Sequence, residues 1–290
     1  SPDIICHLLD GRDQQNKHKT FAAGDIFMSL SDNFQETFGL TPLEAMSSGL
    51  PVVVSDWNGY RETVRDGKDG FTIKTRSLPK GSGEDLMYNY RRGIYNYDHY
   101  IGYTSQLVSV DIDHCIDKLK DLIDNPLLRK KMGENGKKRA NKNFSWTSVM
   151  KSYCELRDHL NEKRNSIKLG QESSNYIKIY DPMKLFESYP TEILNKNHIL
   201  KCKTDKKLSE DHYLFTSKSI KIVQNQNKLD GDYLELNPNI KVVNSIIDIL
   251  LEKKHSLSEI YSLMNISENT INKTIIIMLK FDIIALEKKD

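Results

Sequence analysis

Cysteine is scarce and scattered in this chain of 290 residues. Its four cysteines, Cys6, Cys115, Cys154 and Cys202, form no C-x-x-C pair. That argues against a disulfide scaffold and a local thiolate zinc site, and suits free thiols in a reducing cytoplasm. The eight histidines are equally dispersed and no H-E-x-x-H occurs, so nothing asks for a metal. Long apolar runs are missing as well, and the opening Ser-Pro-Asp-Ile-Ile-Cys-His has no basic signal-peptide start. Charge of one sign is absent too. A net charge of +2 with 28% charged residues gives no global field for nucleic acid or an anionic membrane. A mean hydropathy of -0.56 describes a soluble protein. The length allows two ordinary domains or one large one.

What is present begins with short apolar runs that alternate with helical stretches over residues 1–75. Ile4 to Leu9, Asp25 to Leu30, Val52 to Ser55 and Gly70 to Lys74 read as strands, most of them bounded by Gly, Pro, Asp or Asn. Thr20 to Gly24, Pro42 to Ser48 and Tyr60 to Arg65 read as helices between them. This alternation implies an α/β fold with a parallel sheet covered on both faces, and ligands at the carboxyl ends of its strands. Residues 76–110 then collect Tyr88, Tyr90, Tyr95, Tyr97, Tyr100 and Tyr103 in a largely helical region. Tyrosines at such spacing read as packing against a neighbouring surface, with an acceptor-facing or partner-facing surface as the sharper alternative.

From Asp111 to about Lys168 the pattern is helical. Ile112, Cys115, Ile116, Leu119, Leu122 and Ile123 share one face, Asn125-Pro126 restarts the helix, and Ser145 is placed to cap a helix over Thr147 to Lys163. The basic "RKKMGENGKKRANK" has a weak apolar face and an interrupting Glu134, so it reads as a solvated face before a membrane-surface patch. Residues 164–175 read as a linker. Short strands at Tyr213 to Thr216, Ile220 to Val223 and Tyr233 to Leu236 lead to helices at Ile240 to Leu250, Leu257 to Met264 and Glu268 to Leu279, with a terminal strand "DIIALE". Three helices and a strand in this order read as a winged-helix-like unit at about 238–290, within a module over 169–290. That module balances its acidic and basic residues, and the candidate recognition helix offers only Lys273 and Lys280 as cations. It lacks the footprint of a nucleic-acid reader. A protein-interaction or self-association role is the better reading.

The chemistry concentrates in "NFQETFGLTPLEAMSSGLPVVVSD", residues 33–56. Part of it reads as helix capping: Thr41 as N-cap, Pro42 in the first turn and Glu44 reaching back as a capping box. Capping gives no role to Glu36, nor to Phe38-Gly39-Leu40 at the helix entrance. A glycine there lets a ligand approach the backbone, and the exposed amides and positive dipole end favour a phosphate. A carboxylate one turn into the helix reaches a sugar diol, and one on the preceding loop faces what lies beyond the phosphate. A nucleotide diphosphate sugar has that layout.

Glu36 to Glu44 is similar to the E-x7-E motif of the family 4 (group 1) retaining glycosyltransferases, and "ETFGLTPLEAMSSGLPVVVSDWNGYRETVRDGKDGF" resembles their donor-binding half throughout. With "NPLLRKKMGENG" and "NFSW" the resemblance covers roughly residues 1–165. It implies the C-terminal, Rossmann-like half of a GT-B fold over residues 1–168. It also implies a hexosyltransferase-like transfer from a nucleotide diphosphate sugar with retention and without a metal or other cofactor. By this resemblance Glu36 lies at the reacting centre and Glu44 at the ribose, while Phe38, Gly39, Leu40 and Thr41 offer amides to the diphosphate and sugar. The family's N-terminal acceptor domain and its Arg and Lys for the diphosphate have no counterpart here; Arg12 and Lys17 fall in a different part of the pattern. The chain therefore reads as the donor half of a longer or split enzyme, with an N-terminal half or partner chain as its complement. The acceptor stays unassigned, and peripheral membrane contact and homo-oligomers stay open. A non-catalytic interaction or regulatory protein that keeps the fold is the alternative.

Overall fold

The computed structural model describes residues 4–166, 181–215 and 238–287. Its first sheet is parallel, ordered β1-β2-β3, from β1 (Phe27–Ser29), β2 (Val52–Ser55) and β3 (Gly70–Ile73). Val52 lies opposite Phe27 on one side and Gly70 on the other. Strand β2 is wholly buried, and its side chains alternate between two cores. Val52 and Val54 join Leu43, Met46 and Tyr60 on one face; Val53 joins Phe71, Ile73, Leu122 and Met132 on the other. An unbroken Val-Val-Val run is what a strand covered on both faces requires.

Helices α1 (Gln14–Ala23), α2 (Leu40–Ser47) and α3 (Tyr60–Thr63) belong to the same unit as this sheet. They are followed by α4 (Glu84–Arg91), α5 (Tyr97–Gln106), α6 (Ile112–Asp124), α7 (Pro126–Asn143) and α8 (Trp146–Ser166). Ser145 caps α8 as expected, its hydroxyl accepting from the Ser148 amide at 3.4 Å. In the tyrosine-rich region Tyr95, Tyr100 and Tyr103 are buried and Tyr90 stacks on Tyr100 at 4.7 Å, so packing accounts for them. Tyr88 and Tyr97 are exposed.

A second sheet, β5-β4-β6, joins β4 (Thr75–Ser77) to β5 (Val108–Val110) antiparallel and to β6 (Glu192–Ile193) parallel. Helix α9 (Pro182–Leu185) precedes β6. The third sheet, β8-β7-β9, is antiparallel and consists of β7 (Ile199–Cys202), β8 (His255–Ser256) and β9 (Ile284–Leu286). Helices α10 (Ile240–Glu252), α11 (Leu257–Leu263) and α12 (Glu268–Lys280) belong with it. On α10 the expected face is the buried one, with Val243, Ile246, Ile247 and Leu250 inside. Both strand pairing and the largest apolar core, which runs from Phe34 and Trp57 through Leu78 and Leu200 to Ile275, cross position 168.

Three local expectations are corrected. Ile4 to Leu9 forms no strand; Ile4, Ile5, Leu8 and Leu9 are all exposed, and no described strand lies beside them to supply the ladder. Tyr213 to Phe215 is turn rather than strand. The capping box at Thr41 is absent, because α2 starts at Leu40 behind Gly39 in a left-handed conformation, and no side chain caps it. Thr216, the strands read at Ile220 to Val223 and Tyr233 to Leu236, and the linker beyond Ser166 lie outside the described residues.

Candidate functional site

Loops leaving the carboxyl ends of β1 and β2 meet at the start of α2, the position where an open α/β sheet binds its ligands. The first loop turns on Asn33, whose side-chain oxygen accepts from the Gln35 and Glu36 amides, each at 3.0 Å. Its carbonyl accepts from the Trp57 indole, also at 3.0 Å. Asparagine suits this task because its short amide copies a backbone turn. The Glu36 carboxylate then accepts from the Phe38 amide at 3.3 Å.

Gly39 has φ of 78°, and a Cβ there would sit 2.0 Å from the Tyr60 ring. The chain can therefore enter α2 directly over Tyr60. Tyr60 is buried, with its hydroxyl 3.4 Å from that of Ser29. Burial pushes its phenol up; the Ser29 hydroxyl opposes the rise and the charge of Glu36 adds to it. Tyr60 thus belongs to the wall behind Glu36. Sequence reasoning placed it only as the start of a helix, although its position just beyond the carboxyl end of a buried strand was a usable signal.

Helix α2 carries Glu44 one turn in. The carboxylate accepts from Lys17 of α1 at 2.6 Å through Oε1, while Oε2 is shielded and without a hydrogen-bond partner among the described residues. Lys17, outside the sequence pattern, is therefore brought to the site by the fold. An unsatisfied shielded oxygen costs about 1–3 kcal/mol. Phe38 and Leu40 expose their side chains at the mouth of α2, with Phe38 also edge-on to Phe144 at 6.2 Å. Thr41 lies within the first turn. With no capping side chain, the leading amides and positive end of α2 face this mouth. Among the described residues no group of three or more His, Cys, Asp or Glu is placed to hold a metal ion. All four cysteines are free thiols, and no described helix is long and apolar enough to cross a membrane.

Residues 5–82 match the family described as glycosyl transferases group 1. The α/β architecture with its parallel sheet is consistent with the Rossmann-like C-terminal half of a GT-B glycosyltransferase. Among similar proteins, a sucrose synthase of Denitrovibrio acetiphilus is 58% identical over 38 residues, 13% of this chain and 5% of that protein. A trehalose synthase of Pyrococcus horikoshii is 25% identical over 138 residues, 48% of this chain and 24% of that protein. The alpha-1,3/1,6-mannosyltransferase ALG2 of Dictyostelium discoideum is 30% identical over 111 residues, 38% of this chain and 18% of that protein. The shared stretches thus span less than a quarter of these relatives' own length. The segment that matches this family contains Glu36, Phe38 to Thr41, Glu44 and Tyr60.

Proposed function

We propose that the mouth of α2 binds a nucleotide diphosphate sugar and that the chain provides the donor half of a retaining, metal-independent GT-B enzyme of family 4. The observation that carries this reading is the uncapped N-terminus of α2, with Glu36 before it and Glu44 within it. The diphosphate takes the leading amides. Glu44, one turn into α2 and paired with Lys17, takes the ribose diol. Glu36 lies at the sugar end.

Transfer then proceeds on one face of the sugar. The bond from the anomeric carbon to the diphosphate oxygen breaks, and its electron pair leaves with the phosphate. The acceptor hydroxyl oxygen forms the new bond to the anomeric carbon from the same side, and its proton passes to the departing phosphate oxygen. The amides and dipole of α2 stabilise the charge on the leaving group, and Glu36 faces the positive charge that develops on the sugar ring. Glu36 is not a nucleophile, in contrast to the second carboxylate of a retaining glycosidase. The acceptor, and cations to match the diphosphate, come from an N-terminal half or a partner chain. The free thiols suit the cytoplasm as the place of reaction.

Calorimetry with a panel of nucleotide diphosphates and their sugars tests the donor site. The wild-type chain is expected to bind one base weakly, and Glu44→Ala to weaken it about tenfold, as loss of a hydrogen bond to a charged group does. No heat at millimolar ligand across the panel would overturn the donor reading and favour a non-catalytic protein that keeps the fold.

A further inference from the structure

The loop that carries Glu36 is held from outside the matched segment. Lys280, at the end of α12, sends its ammonium group to Asp32, four residues before Glu36, in an ion pair. The same ammonium donates to the carbonyls of Ser105 and Val108, each at 3.1 Å. It therefore bridges the end of α5, the start of β5 and the site loop. Asp32 is followed by Asn33, whose side chain fixes the amide of Glu36. Phe34, next in line, is buried against Trp57 at 5.2 Å and Phe186 at 5.0 Å, with Tyr189 stacked at 6.1 Å. The Asn58 amide donates to the Tyr189 carbonyl at 3.1 Å, so the second loop of the site rests on the same support.

We propose that Lys280 is a positioning residue: through Asp32 it sets the Asn33 turn and so the placement of Glu36, which makes the C-terminal region a brace of the donor site. The ammonium has three acceptors and both partners of the ion pair are about three-quarters buried. A neutral side chain at 280 leaves two backbone carbonyls and a carboxylate short of a donor. The loop then loses its fixed end next to Asn33. Glu44 and the first turn of α2 are anchored separately, by Lys17 and by the core residues Leu43 and Met46. The brace consequently acts on the sugar end of the site rather than on the nucleotide end. As far as it concerns a sugar, this inference rests on the donor reading above.

Asp32→Asn, Lys280→Gln and the double variant test it by two measurements on the full chain. The first is hydrogen exchange at the amides of residues 33–38 without ligand. Each single variant is expected to exchange about fivefold faster there, and the double variant no faster than the singles, as for two members of one pair. The second is calorimetry with a nucleotide diphosphate sugar and with the bare nucleotide diphosphate. Affinity for the sugar nucleotide should fall about fivefold, whereas the bare nucleotide should bind as before. Unchanged exchange in Asp32→Asn overturns the brace, and that variant decides alone if Lys280→Gln fails to fold. Faster exchange with equal losses for both ligands also overturns it, because general loosening then accounts for the effect. If the wild-type chain binds neither ligand, the donor reading falls, and the exchange measurement still accepts or rejects the link from Lys280 to the loop.

Discussion

Single residues set the shape of the site through two close approaches. Gly39 passes over the Tyr60 ring in a left-handed conformation, and Gly59 brings β2's exit loop so near the first loop that a Cβ would lie 1.7 Å from the Thr37 carbonyl oxygen. A side chain at Gly39 would have to displace the Tyr60 ring, and one at Gly59 the backbone of Thr37 and Phe38. Gly59→Ala is expected to push the Thr37 carbonyl away and to shift Glu36 and Phe38 with it. The overpacking costs about 1–3 kcal/mol, seen as a lower melting temperature, and weakens sugar-nucleotide binding in calorimetry. An alanine variant that melts and binds like the wild type would show that the two loops yield freely. At this scale the sequence was partly legible. Glu36 and Glu44 stood out because no local role used both. The capping box at Thr41 was misplaced because a glycine in the left-handed region can open a helix without any cap, and the sequence does not display φ. Lys17 was unreadable as a partner of Glu44, since the pair closes across the fold rather than along a helix.

Among the elements, α7 shows how a buried face can escape a reading of hydropathy. Its inward residues are Met132, Gly133, Gly136 and Ala140, while Lys130, Lys131, Lys137 and Lys138 stay exposed. Small residues bury a helix by letting another backbone come close, so they leave a weak apolar period. A Cβ on Gly133 would meet the Gly49 carbonyl oxygen at 2.0 Å, and one on Gly136 would meet Met46 at 3.2 Å. Gly133→Ala should therefore force α7 away from the C-terminal end of α2 and cost about 1–3 kcal/mol, despite the gain in helix propensity. Replacing Lys131 by Gln should change the melting temperature little, as for an exposed side chain. Thermal melts of the two variants separate the packing face from the solvated one. Strand β2 was legible for a different reason, as an unbroken apolar run between Pro51 and Asp56, and helix α10 because its apolar residues recur at the helical period. Ile4 to Leu9 has the composition of a strand, but a strand also needs a neighbour, and composition says nothing about neighbours.

Across the whole molecule, ionic contacts join segments that the sequence separates. Arg76 on β4 is almost fully buried, and its guanidinium donates to Glu192 on β6 at 2.6 Å and to Asp111, the N-cap of α6, at 2.7 Å. His198 stands 3.5 Å from the other oxygen of Glu192. The two acidic partners lie 35 and 116 positions from Arg76, so no local pattern announces them, and the division read at 168 falls between β4 and the strand that pairs with it. The His198 hydrogen bond, with Arg76 beside it, lowers the Glu192 carboxyl from the usual 4.5 to about 2. A folded-state value below the unfolded one means that the ionised carboxylate stabilises the fold. That contribution is complete above the ordinary carboxylate range and is lost as pH falls through about 2. Asp111 is lowered as well: burial pushes it up, but the His114 amide and Arg76 outweigh that. Melting temperature is therefore expected to drop between about pH 4.5 and pH 2. Glu192→Gln should melt lower at pH 7, because Arg76 keeps only Asp111 as a charged partner and His198 loses the carboxylate beside it. It should also show a flatter fall with acid, since one of the protonating groups is gone. Melts of both proteins at neutral pH and at steps down to pH 2.5 check this. Parallel acid profiles would mean that Glu192 carries none of the pH dependence, and that the buried arginine is held by Asp111 alone.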